Sequence, residues 1–299
     1  SAVNAALYRS VLPAENLLLV NTPTRFNSET TKNLARRLAE NLEAPFVELP
    51  IDSFINETVS QIDDLQIPFP SDMKTLHLTG FMKENLQARD RSTRILATLS
   101  SAFGGIFTCN ANKTELTVGY GTLYGDLSGA LAATADLWKH QIYALGRTLN
   151  RYFDKNMIPD EIFTVRPSAE LSENQDITKG LGDPLIYEYH DFLFRSFIEP
   201  WNRITPEEIL TWYSKNCLEE KLGTPVSIKS IFKTHHDFIT DLEKWWNLFA
   251  GFAVAKRIQA PPLLAVSRRP YGYDLRESQI APYYTDTYIH LKNSLLSNG

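Results

Sequence analysis

A chain of 299 residues, 43% hydrophobic and 22% charged, has the composition of an ordinary soluble globule, with room for one large domain or two small ones. Its net charge of -5 excludes a global basic field of the kind that gathers nucleic acid, so any anionic ligand must be held by local lysines and arginines. Two cysteines, Cys109 and Cys217, exclude a disulfide framework and point to a reducing compartment, here the cytoplasm, and no apolar run approaches the ~20 residues of a membrane span.

In chain order, residues 2–12 read as a helix stopped near Pro13. With no initiator Met, basic leader or signal peptide, they read as a helix whose preceding loop is missing. The apolar run 17–20 predicts a buried parallel strand, with Asn21 to Thr24 as its exit loop. Ser28 suits the N-cap of a helix over 29–42, where Leu34, Leu38 and Leu42 share one face. Residues 46–49 form a second strand, so the unit is βαβ with a right-handed crossover. An amphipathic helix over 51–65 and a loop of no clear type over 66–80 follow. A long helix spans 84–103, with Leu96, Leu99 and Phe103 at core spacing. The apolar run 105–109 predicts a buried strand, in which Cys109 is packing. A long loop leaves it, carrying glycines at 119, 121, 125 and 129; such loops are where an open α/β sheet holds its ligand. A helix over 136–153 carries Ile142, Leu145, Leu149 and Tyr152 on one stripe. After a polar stretch over 164–183, helices are expected over 184–197, 205–218 and 236–259, with Pro206 at a first helical position. The tail from Ala260 reads as irregular.

Five constellations have residue types suited to chemistry, and the first four also have a bland reading. Arg89 and Arg91, two apart on a helix, point about 200° apart and cannot share one partner; one could reach phosphate, or both could lie on a solvated face. Glu115 is a hard-oxygen donor of the kind Mg²⁺ takes beside phosphate, or a surface acid. Lys139, near a helix start, opposes the helix dipole, which suits it to an anion; otherwise it is a snorkelling lysine. Ser168, in Arg166-Pro167-Ser168-Ala169-Glu170-Leu171, offers a hydroxyl to Mg²⁺ or pyrophosphate, or is a turn serine. Lys256 and Arg257 open a basic C-terminal segment. His235 and His236 are neighbours on different helix faces, which argues against a metal pair, and Gly119-x-Gly121 lacks the spacing of a Rossmann fingerprint.

Asn112-Lys113-Thr114-Glu115, followed by Val118-Gly119-Tyr120-Gly121-Thr122-Leu123-Tyr124-Gly125-Asp126, resembles the N-K-[ST]-E…V-G-Y-x-T-L-Y-G-D signature of NAD synthetases, especially the glutamine-dependent kind. Three further segments strengthen the resemblance. Glu84 to Arg91 matches E-N-x-Q-A-R-x-R; Arg166 to Leu171 is similar to K-P-P-S-A-E-L; and Lys256 to Pro262 with Val266 to Asp274 is similar to K-R-x-Q-A-P-P…V-S-x-R-x-F-G-R-D. The sequence departs from the pattern at Cys109-Asn110-Ala111, where the family has Ser-Thr-Gly, at Tyr271 for Phe and at Tyr273 for Arg.

The resemblance implies an α/β fold: a three-layer parallel sheet with helices on both faces, adenine-nucleotide α-hydrolase-like, with a helical C-terminal part. It implies one NAD synthetase domain of the ATP-pyrophosphatase type over 1–299, in which Ser1-Ala2-Val3 continues a Ser-Gly-Gly-x-Asp-Ser loop whose strand and glycines lie upstream. The implied reaction is ATP-dependent amidation of nicotinic acid adenine dinucleotide (deamido-NAD) through an adenylated intermediate, releasing AMP and pyrophosphate. ATP and Mg²⁺ are the implied substrate and cofactor. Ammonia would come from glutamine through a glutaminase domain in the intact protein, and the assembly would be a homodimer or larger homo-oligomer. The implied nucleotide-site residues are Ser1, Arg89, Arg91, Asn110, Glu115, Asp126, Lys139, Ser168, Lys256 and Arg257, with Lys139 and Ser168 at the chemistry and Glu115 and Ser168 on the metal. Competing readings are a related ATP pyrophosphatase that amidates another carboxylate, and a non-catalytic nucleotide-binding or dimerisation fragment.

Overall fold

The computed structural model describes residues 1–271 and 282–297. They fall into two compact units, one built from 1–110, 122–130 and 143–184, the other from 111–121, 131–142 and the described residues from 185 onward.

In the first unit, helix α1 (Ala2–Arg9) buries Val3, Ala5 and Ala6. Strand β1 (Leu19–Asn21), helix α2 (Glu29–Leu42) and strand β2 (Phe46–Glu48) form the expected unit, with β1 and β2 parallel and Val20 opposite Val47. Helix α2 starts where expected because the Ser28 side chain accepts the Thr31 N–H. Its Leu34, Leu38 and Leu42 stripe is buried. Helix α3 is shorter than expected (Asp52–Ile62).

Residues 66–75, expected as a loop, contain an antiparallel pair instead: β3 (Gln66–Pro68) against β4 (Met73–Thr75). The sequence hid it because five of its six strand residues are exposed, so no apolar alternation marks it. Its base is closed by the Asp64 N–H to the Leu76 carbonyl and the Leu78 N–H to Asp63.

The long helix expected over 84–103 is real but interrupted. Helix α4 (Gly80–Arg89) passes into a π-helical stretch (Asp90–Leu96) and then into α5 (Ala97–Phe103). A wider turn in mid-helix changes which residues share a face, and such stretches often mark functional positions.

The run 105–109 is a correction, because it joins no strand ladder among the described residues. Cys109 is buried as expected, but Ile106 is 70% exposed. The Phe107 carbonyl accepts instead from the Ala130 N–H, and Gly129 packs against the same segment. At Gly129, with φ +141°, a Cβ would lie 2.7 Å from the Cys109 nitrogen, so only glycine lets the backbones approach this closely.

The second unit begins with the short helix α6 (Lys113–Val118). Helix α7 (Lys139–Tyr152), with residues 139–142 in the second unit and 143–152 in the first, starts three residues later than expected, the Asp136 side chain before it being bonded to Lys113. Helices α8 (Tyr187–Ile198), α9 (Pro206–Ser214), α10 (Leu218–Leu222), α11 (Ile228–Ile231), α12 (His235–Ala250), α13 (Ala253–Gln259) and α14 (Asp286–Ser297) make up the C-terminal part. The span expected as one helix over 236–259 breaks at Gly251, and the span over 205–218 ends at Ser214 before α10 begins. Helix α14 lies in the tail that read as irregular. The core of this unit is aromatic: Tyr189, Phe194, Phe197, Phe238 and Trp245 are all buried. His190 lies among them, held by the Ile186 N–H and Asp241. The α/β class with a helical C-terminal part stands, and no described helix is long and apolar enough to cross a membrane.

Candidate nucleotide site

In the first unit, the segment Asn85 to Arg91 reaches three separate pieces of chain. Asn85 accepts from the Thr122 hydroxyl at 2.7 Å, and Gln87 donates to the Leu171 carbonyl at 2.8 Å. Arg89 donates to the Leu123 carbonyl, and Arg91 to the Thr22 carbonyl, each at 3.1 Å. The two arginines have different partners, as their spacing requires. Arg89 is exposed, whereas Arg91 is partly covered and also reaches Asn27 Oδ1. Burial pushes the Arg91 guanidinium down from its ordinary value, while the Asp126, Asp90, Asp52 and Glu170 carboxylates oppose that shift.

Asp126 is exposed, and its carboxylate accepts the Thr122 N–H at 2.8 Å. Asn110 is exposed and accepts from the Asn4 amide on α1 at 2.9 Å. Ser1 precedes α1, and its carbonyl accepts the Ala5 N–H. Ser168 is a turn-maker in this structure: its hydroxyl donates to the Gln175 carbonyl at 2.6 Å and accepts the Glu170 N–H at 3.1 Å.

In the second unit, the four residues Asn112-Lys113-Thr114-Glu115 divide four tasks. Asn112 caps α6, and Glu115 completes the capping box by accepting the Asn112 N–H. Lys113 is fully buried, with Nζ 2.9 Å from Asp136 Oδ1 and 2.8 Å from the Ser267 hydroxyl. Thr114 donates to the buried Asp191 and accepts the Lys139 N–H. Asp191 also takes the His140 N–H at 2.8 Å, which anchors the start of α7. Glu115 Oε1 lies 3.8 Å from Lys139 Nζ, and that ammonium sits 4.7 Å over the Tyr187 ring. The structure therefore brings Glu115 and Lys139 together, both partly exposed.

The structure sets Lys256 and Arg257 against backbone carbonyls. Lys256 Nζ donates to the Gly119 and Gly121 carbonyls at 2.7 and 2.6 Å, which fixes the glycine turn where Gly119 has φ +65°. Arg257 is buried, donates to the Thr117 and Phe249 carbonyls, and stacks on Phe249 and Tyr271. Both hold the C-terminal end of α6, whereas Glu115 and Lys139 meet at its other end. Tyr273 lies outside the described residues.

Sequence reasoning missed three residues. Asp136 was read as a helix residue, yet its carboxylate takes Lys113 and the Val266 and Ser267 N–H groups. Asp191 and Glu170 were not singled out, although each is a buried acid at a helix start. The N-x-x-E pattern at 112–115 was the available signal for the capping box.

For a metal, Glu115 offers a hard carboxylate: Oε2 accepts a backbone N–H, and Oε1 lies 3.8 Å from the Lys139 ammonium and 3.5 Å from the Tyr187 hydroxyl. The Ser168 hydroxyl already gives its proton and accepts one bond, so it fits less well. Asp63, Asp64 and His77 also bring ligand-type atoms within 4.8 Å of one another. Asp63 there is held below the ordinary carboxylate range by the Leu78 N–H and by Lys83.

A parallel strand–helix–strand unit and a helical C-terminal part define a mixed α/β fold. A family model described as NAD synthase matches residues 1–230. The chain is 33% identical over 209 residues to a glutamine-dependent NAD(+) synthetase of Thermotoga maritima, covering 70% of this chain and 34% of that protein. It is 32% identical over 224 residues to an NH(3)-dependent NAD(+) synthetase of Helicobacter hepaticus, covering 74% of this chain and 76% of that one. The chain belongs to the NAD synthase family. It spans about a third of the length of the glutamine-dependent relative. In fold it is similar to a glutamine-dependent NAD(+) synthetase from Cytophaga hutchinsonii, with TM-score 0.61 and 18% identity over 93% of this chain and 40% of that one.

Proposed function

We propose that the chain carries out the ATP-dependent amidation of deamido-NAD to NAD. The observation that supports this most directly is the Glu115–Lys139 pair at 3.8 Å, set within motif residues of a chain that belongs to the NAD synthase family. In the proposed reaction, a carboxylate oxygen of deamido-NAD attacks the α-phosphorus of ATP, and the bond to the bridging oxygen breaks to release pyrophosphate. Ammonia then attacks the acyl carbon, the C–O bond to AMP breaks, and the amide and AMP leave. A carboxylate is a poor acyl donor, and adenylation gives it a good leaving group.

Lys139, Arg91 and Arg89 neutralise and orient phosphate charge, which is the main help phosphoryl transfer requires. Glu115 would hold Mg²⁺, which when bound screens the phosphate oxygens from the incoming carboxylate. Ser168 and its loop lie on the pyrophosphate side. Lys256 contributes by holding the glycine turn at 119–121, and Arg257 by holding the Thr117 carbonyl before it. In the intact protein the ammonia is drawn from glutamine by a glutaminase domain. The residues 1–299 form one synthetase domain within a homodimer or larger homo-oligomer. Half-exposed apolar side chains in the first unit, Phe54, Phe69, Met73 and Phe81 among them, support the oligomer.

The test is to supply the protein with ATP, Mg²⁺, deamido-NAD and ammonium and to quantify NAD, AMP and pyrophosphate. Equimolar appearance of all three is expected. Adenylation products without NAD, or no turnover in the full-length protein, would overturn the reading.

A further inference from the structure

We infer that Glu170 is a positioning residue: its carboxylate latches the loop 166–171 to the start of α2 and, through Asn27, sets the orientation of Arg91. The role in catalysis rests on the preceding reading, which puts this loop on the pyrophosphate side and Arg91 on phosphate. The latch itself rests on geometry alone.

Glu170 is only 3% exposed, in a loop whose neighbours are partly or fully exposed. Its Oε1 accepts the Ser28 N–H at 3.2 Å, and its Oε2 accepts the Thr31 hydroxyl at 2.7 Å and the Asn27 amide at 3.4 Å. Every one of these partners is a donor, so the site is built for an ionised carboxylate. A negative charge there also complements the α2 N-terminus. The backbone is bent to deliver it: Glu170 has φ +46°, a left-handed conformation uncommon for a non-glycine residue. Ser168 supports the bend by accepting the Glu170 N–H.

Asn27 carries the contact onward. Its Oδ1 accepts the Thr24 N–H at 2.8 Å and an Arg91 Nη2 proton at 3.4 Å, while its Nδ2 faces Glu170. One amide therefore connects the loop to the arginine. Releasing Glu170 removes the bond on Asn27 Nδ2 and leaves the amide held through Oδ1 by Thr24 alone, which loosens the contact that Oδ1 offers to the Arg91 guanidinium.

The experiment compares wild type with Glu170→Gln. The glutamine NH₂ replaces one carboxylate oxygen and would face the donors on that side, either the Ser28 N–H or the Thr31 hydroxyl and Asn27 amide, so part of the latch opens at almost unchanged volume. Two readouts are taken on the full-length protein. The first is the rate of tryptic cleavage after the exposed Lys179, downstream in the same loop, followed by mass spectrometry. The second is the kcat and KM of pyrophosphate release with deamido-NAD and ATP. Cleavage several-fold faster, with kcat lowered about tenfold and the KM for deamido-NAD within about twofold, is expected; a merely structural role would move both constants and the melting temperature together. Unchanged cleavage overturns the latch whatever the activity does. Faster cleavage with unchanged kcat overturns the positioning role. If wild type releases no pyrophosphate, the reaction assigned above fails and Glu170's part in it fails too, while the cleavage rate still decides the latch. Should Glu170→Gln fold poorly, Thr31→Val removes the 2.7 Å hydroxyl donor, along with that hydroxyl's contacts to Ser28, and is judged by the same readouts.

Discussion

At the scale of single residues, Glu115 does two jobs that substitution can separate. One carboxylate oxygen closes the capping box of α6; the other faces the Lys139 ammonium. Glutamine can close a capping box, because its carbonyl oxygen accepts the same N–H, but it brings no charge. Glu115→Gln is therefore expected to leave the melting temperature nearly unchanged while lowering kcat of amidation by roughly 100-fold, the size of effect seen when one preorganised electrostatic group is removed. Glu115→Ala would lose both jobs, adding about 1 kcal/mol of instability from the lost cap. Thermal unfolding and steady-state kinetics on the two variants check this. Equal activity in Glu115→Gln and wild type would remove Glu115 from the site.

At the scale of elements, the buried pair Lys113–Asp136 ties three pieces of chain: α6, the turn before α7, and the segment at Val266 and Ser267. Burial by itself would raise the Asp136 carboxyl, but the Lys113 ammonium and the Ser267 and Val266 N–H groups outweigh it and hold the pKa below the ordinary value. A carboxyl with a lowered folded pKa contributes stability that is fully present above its unfolded value, near 4, and is lost as pH falls through the folded one. Asp136→Asn leaves Lys113 buried without its charge partner and turns an amide NH₂ toward backbone donors, which should cost about 3–5 kcal/mol at pH 7. The gap between wild type and variant in denaturant midpoint should narrow as pH drops below about 4, and parallel curves would sink the argument. This pin was not legible in the sequence. Nothing in the spacing of Lys113, Asp136 and Ser267 announces that they meet, whereas the βαβ unit was legible because its apolar runs, leucine stripe and Ser28 cap are all local signals. The same limit explains the other misses. The 66–75 hairpin has mostly exposed strand residues, the π-helical stretch leaves no mark on core spacing, and the apolar run at 105–109 pairs with no strand among the described residues. In the candidate site, the motifs located Glu115 and Lys139. They could not show that Lys256 and Arg257 would be bonded to backbone carbonyls at and just beyond the end of α6, since a basic residue reads alike whether it holds phosphate or backbone.

At the scale of the whole molecule, the proposed chemistry asks for positioning and charge more than for a nucleophilic side chain. The described cationic groups fit that demand: Lys139 is held beside a carboxylate, and Arg91 is held by a backbone carbonyl and an amide. An enzyme built this way must activate its carboxylate on the substrate itself, which fixes where the carboxylate oxygens go. If deamido-NAD attacks the α-phosphorus of ATP, the bridging oxygen of the acyl adenylate comes from the carboxylate. When ammonia displaces AMP at the acyl carbon, that oxygen departs on the phosphate. Deamido-NAD labelled with ¹⁸O in both carboxylate positions should therefore give AMP carrying one ¹⁸O, NAD retaining the other in its amide carbonyl, and unlabelled pyrophosphate, all measured by mass spectrometry. Label in pyrophosphate or orthophosphate would mean that the carboxylate attacks a different phosphorus. Unlabelled AMP alongside NAD formation would mean that ATP is cleaved without adenylating the acid, and Lys139 and the arginines would then need a different anion to hold.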